Sequence, residues 1–356
     1  MADYDLILLG AGGAHLAVLR RLALVARPKA KIALLVEAPY AWCASRLAAM
    51  LSGKMTYAQG QIALAALCQA AQVELILGKV ESLEADTRIV SLSDGRMFAG
   101  HWLSLDAGST FQAPPHQGDA MQVLSARPLE PCLQQFEQWR AEPKRLAVLG
   151  GTPVSVELAL ALADQVPSLT LFCGGPLLPE QGLGLRMRAL GYLRQRGVQV
   201  REHCPISRIE DDWLLSGDEP VWRGRRLLVS SGARGWPWLS NSGLACDEEG
   251  FVLIEKSLQS RSHPQIFAAG ECASLPDIAR SLTRRPRQGR ILASNLSAAL
   301  AEQPLKHYRA PRHGLTLIAD NRGNALASWR NWSADGALYG NLRRFLERRF
   351  LLRHRF

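Results

Sequence analysis

The sequence predicts an α/β protein built around two parallel sheets, and three observations carry that prediction. An apolar run that ends in glycine, Asp5–Gly10, is followed by leucines at helical spacing over Ala14–Ala26 and by a second apolar run, Lys31–Glu37. The same succession returns about 140 residues later as Arg145–Gly150, the apolar helix Val154–Ala163 and Ser168–Cys173. A third apolar run, Gln265–Gly270, again stops at a glycine and is followed by an acid, Glu271. A buried strand, a tight glycine turn and a helix form the repeating unit of a doubly wound sheet. The chain therefore reads as two Rossmann-like dinucleotide-binding domains of similar build.

The remaining elements follow in order. Val73–Leu77, Gly78–Leu83 and Arg88–Leu92 alternate and turn in the manner of antiparallel strands. Phe111–Ala126, with Pro114, Pro115 and Gly118, has linker composition and marks the crossing into the second domain. After the second unit the antiparallel pattern recurs in Val198–Arg201, Ile206–Ile209, Trp213–Leu215 and Arg226–Ser230. The chain is expected to return to the first domain near Trp236–Gly250, so that the Gln265–Gly270 strand joins the first sheet.

The first turn has the spacing Gly10-x-Gly12-x-x-His15. Gly10 permits the sharp turn, and Gly12 lets the backbone approach a pyrophosphate that the helix N-terminus then favours electrostatically. The third position, where glycine allows close helix–strand packing, is His15, which either fills that gap or faces the pyrophosphate. Glu37, at the end of the next strand, is placed to accept hydrogen bonds from an adenosine ribose. Taken alone, this turn is also compatible with a generic α/β connection.

The distant motif Ile266-Phe-Ala-Ala-Gly270-Glu271-Cys272 resembles the second FAD-binding motif of flavoproteins with two dinucleotide-binding domains. Several stretches narrow the likeness: Trp102–Ser109, the run Ser242–Ala245 with Gly250–Ile254, and the tail Ala325–Ser328, Trp332, Gly336 and Arg348–Phe350. Together they resemble the pyridine nucleotide-disulfide-oxidoreductase-like flavoproteins related to type II NADH dehydrogenases, in particular the flavoprotein module fused before selenide water dikinase. The resemblance covers nearly the whole chain and implies FAD as cofactor and NAD(P)H as electron donor. It implies an FAD-binding domain over residues 1–112 and 240–308, an NAD(P)-binding-like domain over 113–239 and a basic C-terminal α/β segment over 309–356.

By the same resemblance Gly10, Gly12, Gly13, His15 and Glu37 hold the adenosine diphosphate half of FAD. Gly108 closes over the cofactor, Gly270 and Glu271 hold its ribityl-pyrophosphate part, and Arg287, Gln288 and Gly289 lie near the isoalloxazine ring. Gln288 is also readable as a solvated residue of a basic loop. Gly150, Gly151 and Gly232 correspond to the NAD(P) site, and Glu157 to a residue near nicotinamide and flavin; an acid on the solvent edge of a helix is the plainer reading of Glu157. The second fingerprint is degenerate: Thr152 puts a Cβ where the backbone should touch pyrophosphate, and Pro153 removes an amide.

Cys43 lies near where single-cysteine disulfide and peroxide reductases carry their redox thiol, with Arg46 one turn on; a packed, inert cysteine is the other reading. The seven cysteines are scattered without a CxxC pair, which argues against a disulfide framework or a zinc site and for a reducing, cytoplasmic setting. No stretch approaches the ~18 apolar residues of a membrane span, and the chain opens on Asp3 and Asp5 rather than on a signal-like basic start. The net charge of +10 is unevenly placed: Arg280–Phe356 carries +12 and the preceding 279 residues −2. In Asn341–Phe356 the residues Leu342, Phe345, Leu346, Leu352 and Phe356 fall near one helical face with six arginines largely elsewhere. That pattern suits peripheral contact with the inner face of a membrane, a docking helix, or a terminal helix packed on the FAD domain. Nucleic-acid binding has no recognisable module here.

These readings lead to an FAD-dependent NAD(P)H oxidoreductase that passes electrons to a quinone or another small acceptor, with no metal. The alternatives are a single-cysteine reductase acting through Cys43 and a flavin-bearing module that does not turn over, whose second domain is only a scaffold.

Overall fold

The computed structural model of the chain describes residues 2–25, 29–276, 288–311 and 313–355. Strand β1 (Ala2–Leu9) is buried along Leu6–Leu9 on both faces, as a central parallel strand covered by helices must be. It turns at Gly10 into helix α1 (Gly13–Leu24), which buries Leu16, Leu19 and Leu22; Ala26 lies outside the described residues. Strand β2 (Ile32–Val36) returns parallel to β1 with Leu34 opposite Leu8. The edge strand β3 (Glu74–Leu77) runs parallel to β2. Next come β4 (Val80–Glu84), β5 (Ile89–Leu92) and the long β6 (Met97–Leu105), which form an antiparallel meander. One edge of β6 runs parallel to β1; its other edge pairs with β5 at the start and with the distant strand Ile266–Ala268 at the end. The sheet order is β3-β2-β1-β6-β5-β4, with Ile266–Ala268 beside β6.

The second sheet is all parallel. Its strands are β7 (Gln122–Ser125), β8 (Leu146–Leu149), β9 (Leu169–Phe172), β10 (Gln199–Arg201) and β11 (Arg226–Val229), in the order β7-β11-β8-β9-β10. Helix α2 (Pro153–Leu162) follows β8, with proline in its first turn, where a missing amide costs little. A small meander over Arg208–Glu210, Trp213–Ser216 and Glu219–Arg223 joins β10 to β11.

Four sequence expectations change here. Val73–Leu77, Val198–Arg201 and Arg226–Ser230 were expected to pair antiparallel, yet β3, β10 and β11 are parallel members of the two main sheets. For β3 and β10 the reason lies in two helices the apolar pattern did not reveal, Leu64–Ala71 and Leu183–Gln195, which carry the chain back across the sheet; β11 is returned by the small meander. The stretch Phe111–Ala126 is more than a linker. Thr110–Phe111 pairs antiparallel with Ala233–Arg234, so the outgoing and returning crossings satisfy each other's backbone, and β7 is a full strand of the second sheet.

Helix α3 (Gln288–Leu300) lies against α1, where Gly289 allows contact: an added Cβ would stand 2.8 Å from that of Ala17. The chain then forms an antiparallel sheet, β12 (Thr316–Ala319), β13 (Ala325–Trp329) and β14 (Trp332–Gly336), and ends in helix α4 (Ala337–Arg353). The side of α4 turned inward carries Gly340, Arg343, Glu347, Phe350, Leu351 and the following His354, a mixed polar and apolar stripe. Leu338, Leu342, Phe345, Leu346 and Leu352 are exposed instead. More of its large apolar side chains thus face outward than inward, unlike the usual amphipathic helix on a globular protein. Phe356 lies outside the described residues.

Candidate functional site

The site forms where the carboxyl ends of β1, β6 and Ile266–Ala268 meet the N-terminus of α1. Gly10 takes φ +88° at the end of β1, a conformation glycine adopts without penalty, and its amide is held by the Leu35 carbonyl at 2.9 Å. Gly12 is the N-cap of α1, where no side chain of its own covers the first amides. Those amides are served from 92 residues away by Asp106, at the end of β6: its Oδ2 accepts from Ala14 N at 2.8 Å and His15 N at 3.0 Å. The carboxylate is buried and sits between two glycine turns, since a Cβ on either Gly12 or Gly270 would overlap it.

A cavity of about 1210 Å³ opens beside this junction. Gly12, Gly13, Gly108, Gly270, Glu271 and Gln288 of the sequence-predicted set all line it, although they come from three distant parts of the chain. Gly270 is fixed by Gln288, whose Oε1 accepts from Gly270 N at 2.9 Å, so the glutamine is a structural clasp rather than a solvated loop residue. Arg287 lies outside the described residues. Glu271 pairs with Arg127 and accepts a hydrogen bond from Ser109 Oγ at 3.1 Å. Arg127 also donates to Ser109 Oγ at 2.9 Å and covers the Phe111 ring. Arg20, Arg21, Arg290 and Arg353 add positive charge around the same cavity.

The arrangement fits FAD in most respects. Gly13 and Gly108 present open backbone with nothing within 4 Å of an added Cβ. Trp42 and Trp236 supply flat apolar walls, and Trp236 is set by a 2.8 Å hydrogen bond from its Nε1 to the Ala107 carbonyl. Among the described residues, the feature at odds with a bound diphosphate is the Asp106 carboxylate on the α1 amides.

Several sequence expectations lie elsewhere. His15 was included in the cofactor set, but its ring is fully buried between α1 and the sheet. Its Nδ1 lies 2.6 Å from the Gly10 carbonyl and its Nε2 2.9 Å from Ser104 Oγ. Desolvation holds its pKa down at about 4, so it is a neutral packing residue that replaces the missing glycine. Glu37 is exposed at the end of β2 and does not line the cavity. Cys43 is buried, and burial raises its thiol pKa despite the nearby Ser45 hydroxyl and Arg46. A nucleophilic thiolate needs the opposite shift.

Glu157, expected near nicotinamide and flavin, does not line the cavity. It is buried on α2, pairs with Arg343 of α4 and accepts from Ala319 N at 2.7 Å. A solvent-edge acid therefore does not describe it. The second glycine turn is closed on itself. Thr152 Oγ1 accepts from Ser155 N at 3.4 Å, Ser155 Oγ accepts from Thr152 N at 3.3 Å, and Ser230 Oγ donates to Ser155 Oγ at 2.9 Å. Gly150 is pressed against these hydroxyls, and Leu178 N donates to the Gly151 carbonyl at 2.8 Å, with Leu177 and Leu178 buried. Gly232 sits in the crossing between the sheets, where its carbonyl accepts from Gln112 N at 3.0 Å.

Sequence reasoning did not single out Asp106, Arg127 and Arg343. For Asp106 a signal existed, an acid placed directly after the apolar end of a strand and before Gly108. Arg127 and Arg343 had none, since each acts on an acid more than 140 residues away.

Among the described residues no group of three His, Cys, Asp or Glu is placed to hold a metal ion, and no helix is long and apolar enough to cross a membrane.

The profile of the family described as pyridine nucleotide-disulphide oxidoreductase matches residues 4–291. A mercuric reductase of Acidithiobacillus ferrooxidans is 29% identical over 140 residues, which are 38% of this chain and 25% of that protein; the chain thus spans about a quarter of this relative's length. The ferredoxin reductase component of chlorobenzene dioxygenase from Cupriavidus sp. (strain PS12) is 26% identical over 288 residues, 75% of this chain and 68% of that protein. Among solved structures, the sulfide:quinone oxidoreductase of Aquifex aeolicus aligns with a TM-score of 0.82 at 17% identity and covers all of this chain and 92% of that one, a likeness of fold.

Proposed function

The chain belongs to the pyridine nucleotide-disulphide oxidoreductase family, and from that premise we propose that it is an FAD-dependent oxidoreductase that takes electrons from NAD(P)H and delivers them to a small acceptor such as a quinone. The observation that carries this reading is the convergence of Gly12, Gly13, Gly108, Gly270, Glu271 and Gln288 on one cavity of about 1210 Å³. When bound there, FAD supplies the redox chemistry. The chain's own part is to bind and orient it. Glu271, steadied by Arg127 and Ser109, offers a carboxylate acceptor for ribityl hydroxyls, and Gln288 holds the Gly270 turn open for close approach. Trp42 and Trp236 exclude water from flat surfaces of the cavity.

The exposed apolar side of α4 with its arginine border supports a position on the surface of an anionic membrane, where quinones reside. This is a peripheral contact and not a span.

One observation favours a second reading, a flavoprotein that does not use a nicotinamide. The amides and glycines of the second turn are engaged by Thr152, Ser155, Ser230 and Leu178, which leaves little backbone for a second pyrophosphate. One experiment tests both. Purified protein is expected to show the absorption spectrum of bound FAD, and anaerobic mixing with NADH or NADPH is expected to bleach it rapidly. A flavin spectrum that resists millimolar nucleotide supports the second reading, and protein that neither contains nor takes up FAD overturns both.

A further inference from the structure

The amides at the start of α1 are the part of the first turn that attracts a diphosphate, because they point outward with unsatisfied N–H groups at the positive end of the helix dipole. In this chain two of them, Ala14 N and His15 N, are bonded to the Asp106 carboxylate at 2.8 and 3.0 Å. Asp106 is 4% exposed, and both neighbouring turns are glycine where any Cβ would collide with its carboxylate. Its backbone is equally fixed: Asp106 N donates to the Leu9 carbonyl at 2.9 Å, and its own carbonyl accepts from Gly12 N at 3.3 Å. The junction is thus fitted around an internal anion.

We propose that Asp106 is an internal competitor for the diphosphate of FAD and sets the affinity of this protein for its flavin. The inference rests on the flavin reading above. Two anions cannot share one pair of amides, since like charges at hydrogen-bonding range repel strongly in a buried site. FAD binding therefore requires the carboxylate to leave Ala14 N and His15 N, and the work of displacing it weakens binding. Without FAD, the same contact caps α1 and stabilises the apoprotein. Asp106 is a positioning residue with two opposed effects, and the pair of effects separates this role from a merely structural one.

The test compares the apoproteins of the wild type, Asp106→Ala and Asp106→Asn by FAD fluorescence titration and thermal unfolding. Asp106→Ala is expected to bind FAD at least tenfold more tightly while its apoprotein melts at a lower temperature. Asp106→Asn, which keeps an acceptor but loses the charge, is expected between the two in both measurements and guards against a folding failure of the alanine variant. Affinity and melting temperature that fall together in both variants, or FAD binding no tighter than in the wild type, overturn the inference and leave the flavin reading intact. Absence of FAD binding in all three proteins overturns the flavin reading, and the inference with it.

Discussion

His15 shows how a single residue departs from a motif and is accommodated. The imidazole occupies the space that a third glycine would leave between α1 and the sheet, and both ring nitrogens are engaged, by the Gly10 carbonyl and Ser104 Oγ. Burial lowers its pKa from 6.5 to about 4. The unfolded chain therefore takes up a proton between about pH 6.5 and 4 that the folded chain refuses. The His15 contribution is complete above pH 6.5 and is lost as pH falls toward 4, by up to about 3 kcal/mol. Replacing His15 with alanine is expected to cost about 2–4 kcal/mol at pH 7 from the lost ring contacts and hydrogen bonds. Thermal or denaturant unfolding at pH 7 and at pH 4.5 checks both points, since the gap between wild type and variant should narrow in acid. A constant gap would show that the imidazole titrates normally. The departure at position 15 was legible in the sequence. The choice between packing and cofactor contact was not, because it depends on Ser104, 89 residues away, supplying the second hydrogen-bond partner.

At the scale of elements, α4 is the clearest case of a sequence pattern that predicts a helix but not its orientation. An apolar stripe of Leu342, Phe345, Leu346 and Leu352 would ordinarily face the core. Here Arg343 turns inward, where it pairs with Glu157 and donates to the Leu317 and Ser45 carbonyls at 2.7 and 2.8 Å. Glu347 extends the network to Arg46 at 3.8 Å. Because Glu157 and Arg343 are both nearly buried, removing one partner leaves the other charge poorly compensated, at a cost of about 3–5 kcal/mol. Arg343→Met is expected to lower stability by that order and to raise hydrogen exchange across 337–353. The double variant with Glu157→Gln should recover part of the loss. Unchanged exchange in the single variant would mean that other contacts hold α4 down. The same scale explains the strand directions. Short apolar runs do not reveal their partners, so β3 and β10 became recognisable as parallel strands only with the crossover helices in place, and β11 only with the meander that returns it between β7 and β8.

For the whole molecule, charge and apolar surface converge on one side. Arg353 is surrounded by Arg349, Arg20 and Arg290, which push its pKa down, and the exposed Phe345 and Leu346 lie on the same terminal helix. The protein is expected to bind vesicles containing anionic lipid and to release them as salt rises. Phe345→Glu with Leu346→Glu should reduce vesicle binding at least tenfold without changing the melting temperature, because the two side chains are 57% and 42% exposed. Sedimentation with neutral and anionic vesicles decides this. Equal binding of wild type and variant would assign the exposed face to another partner.

By itself the sequence determined the strand, glycine turn and helix units, the distant Gly270-Glu271 turn and the basic tail. Each of these is written in side-chain periodicity and glycine placement over a few neighbouring residues. The tertiary structure alone decided what meets at those units: Asp106 on the α1 amides, Arg127 on Glu271, Arg343 on Glu157 and the closed second turn. The physical reason is that a local pattern sets which backbone groups a turn exposes. Whether a ligand, a distant carboxylate or a neighbouring hydroxyl satisfies those groups depends on charges and donors brought there by chain that is remote in sequence.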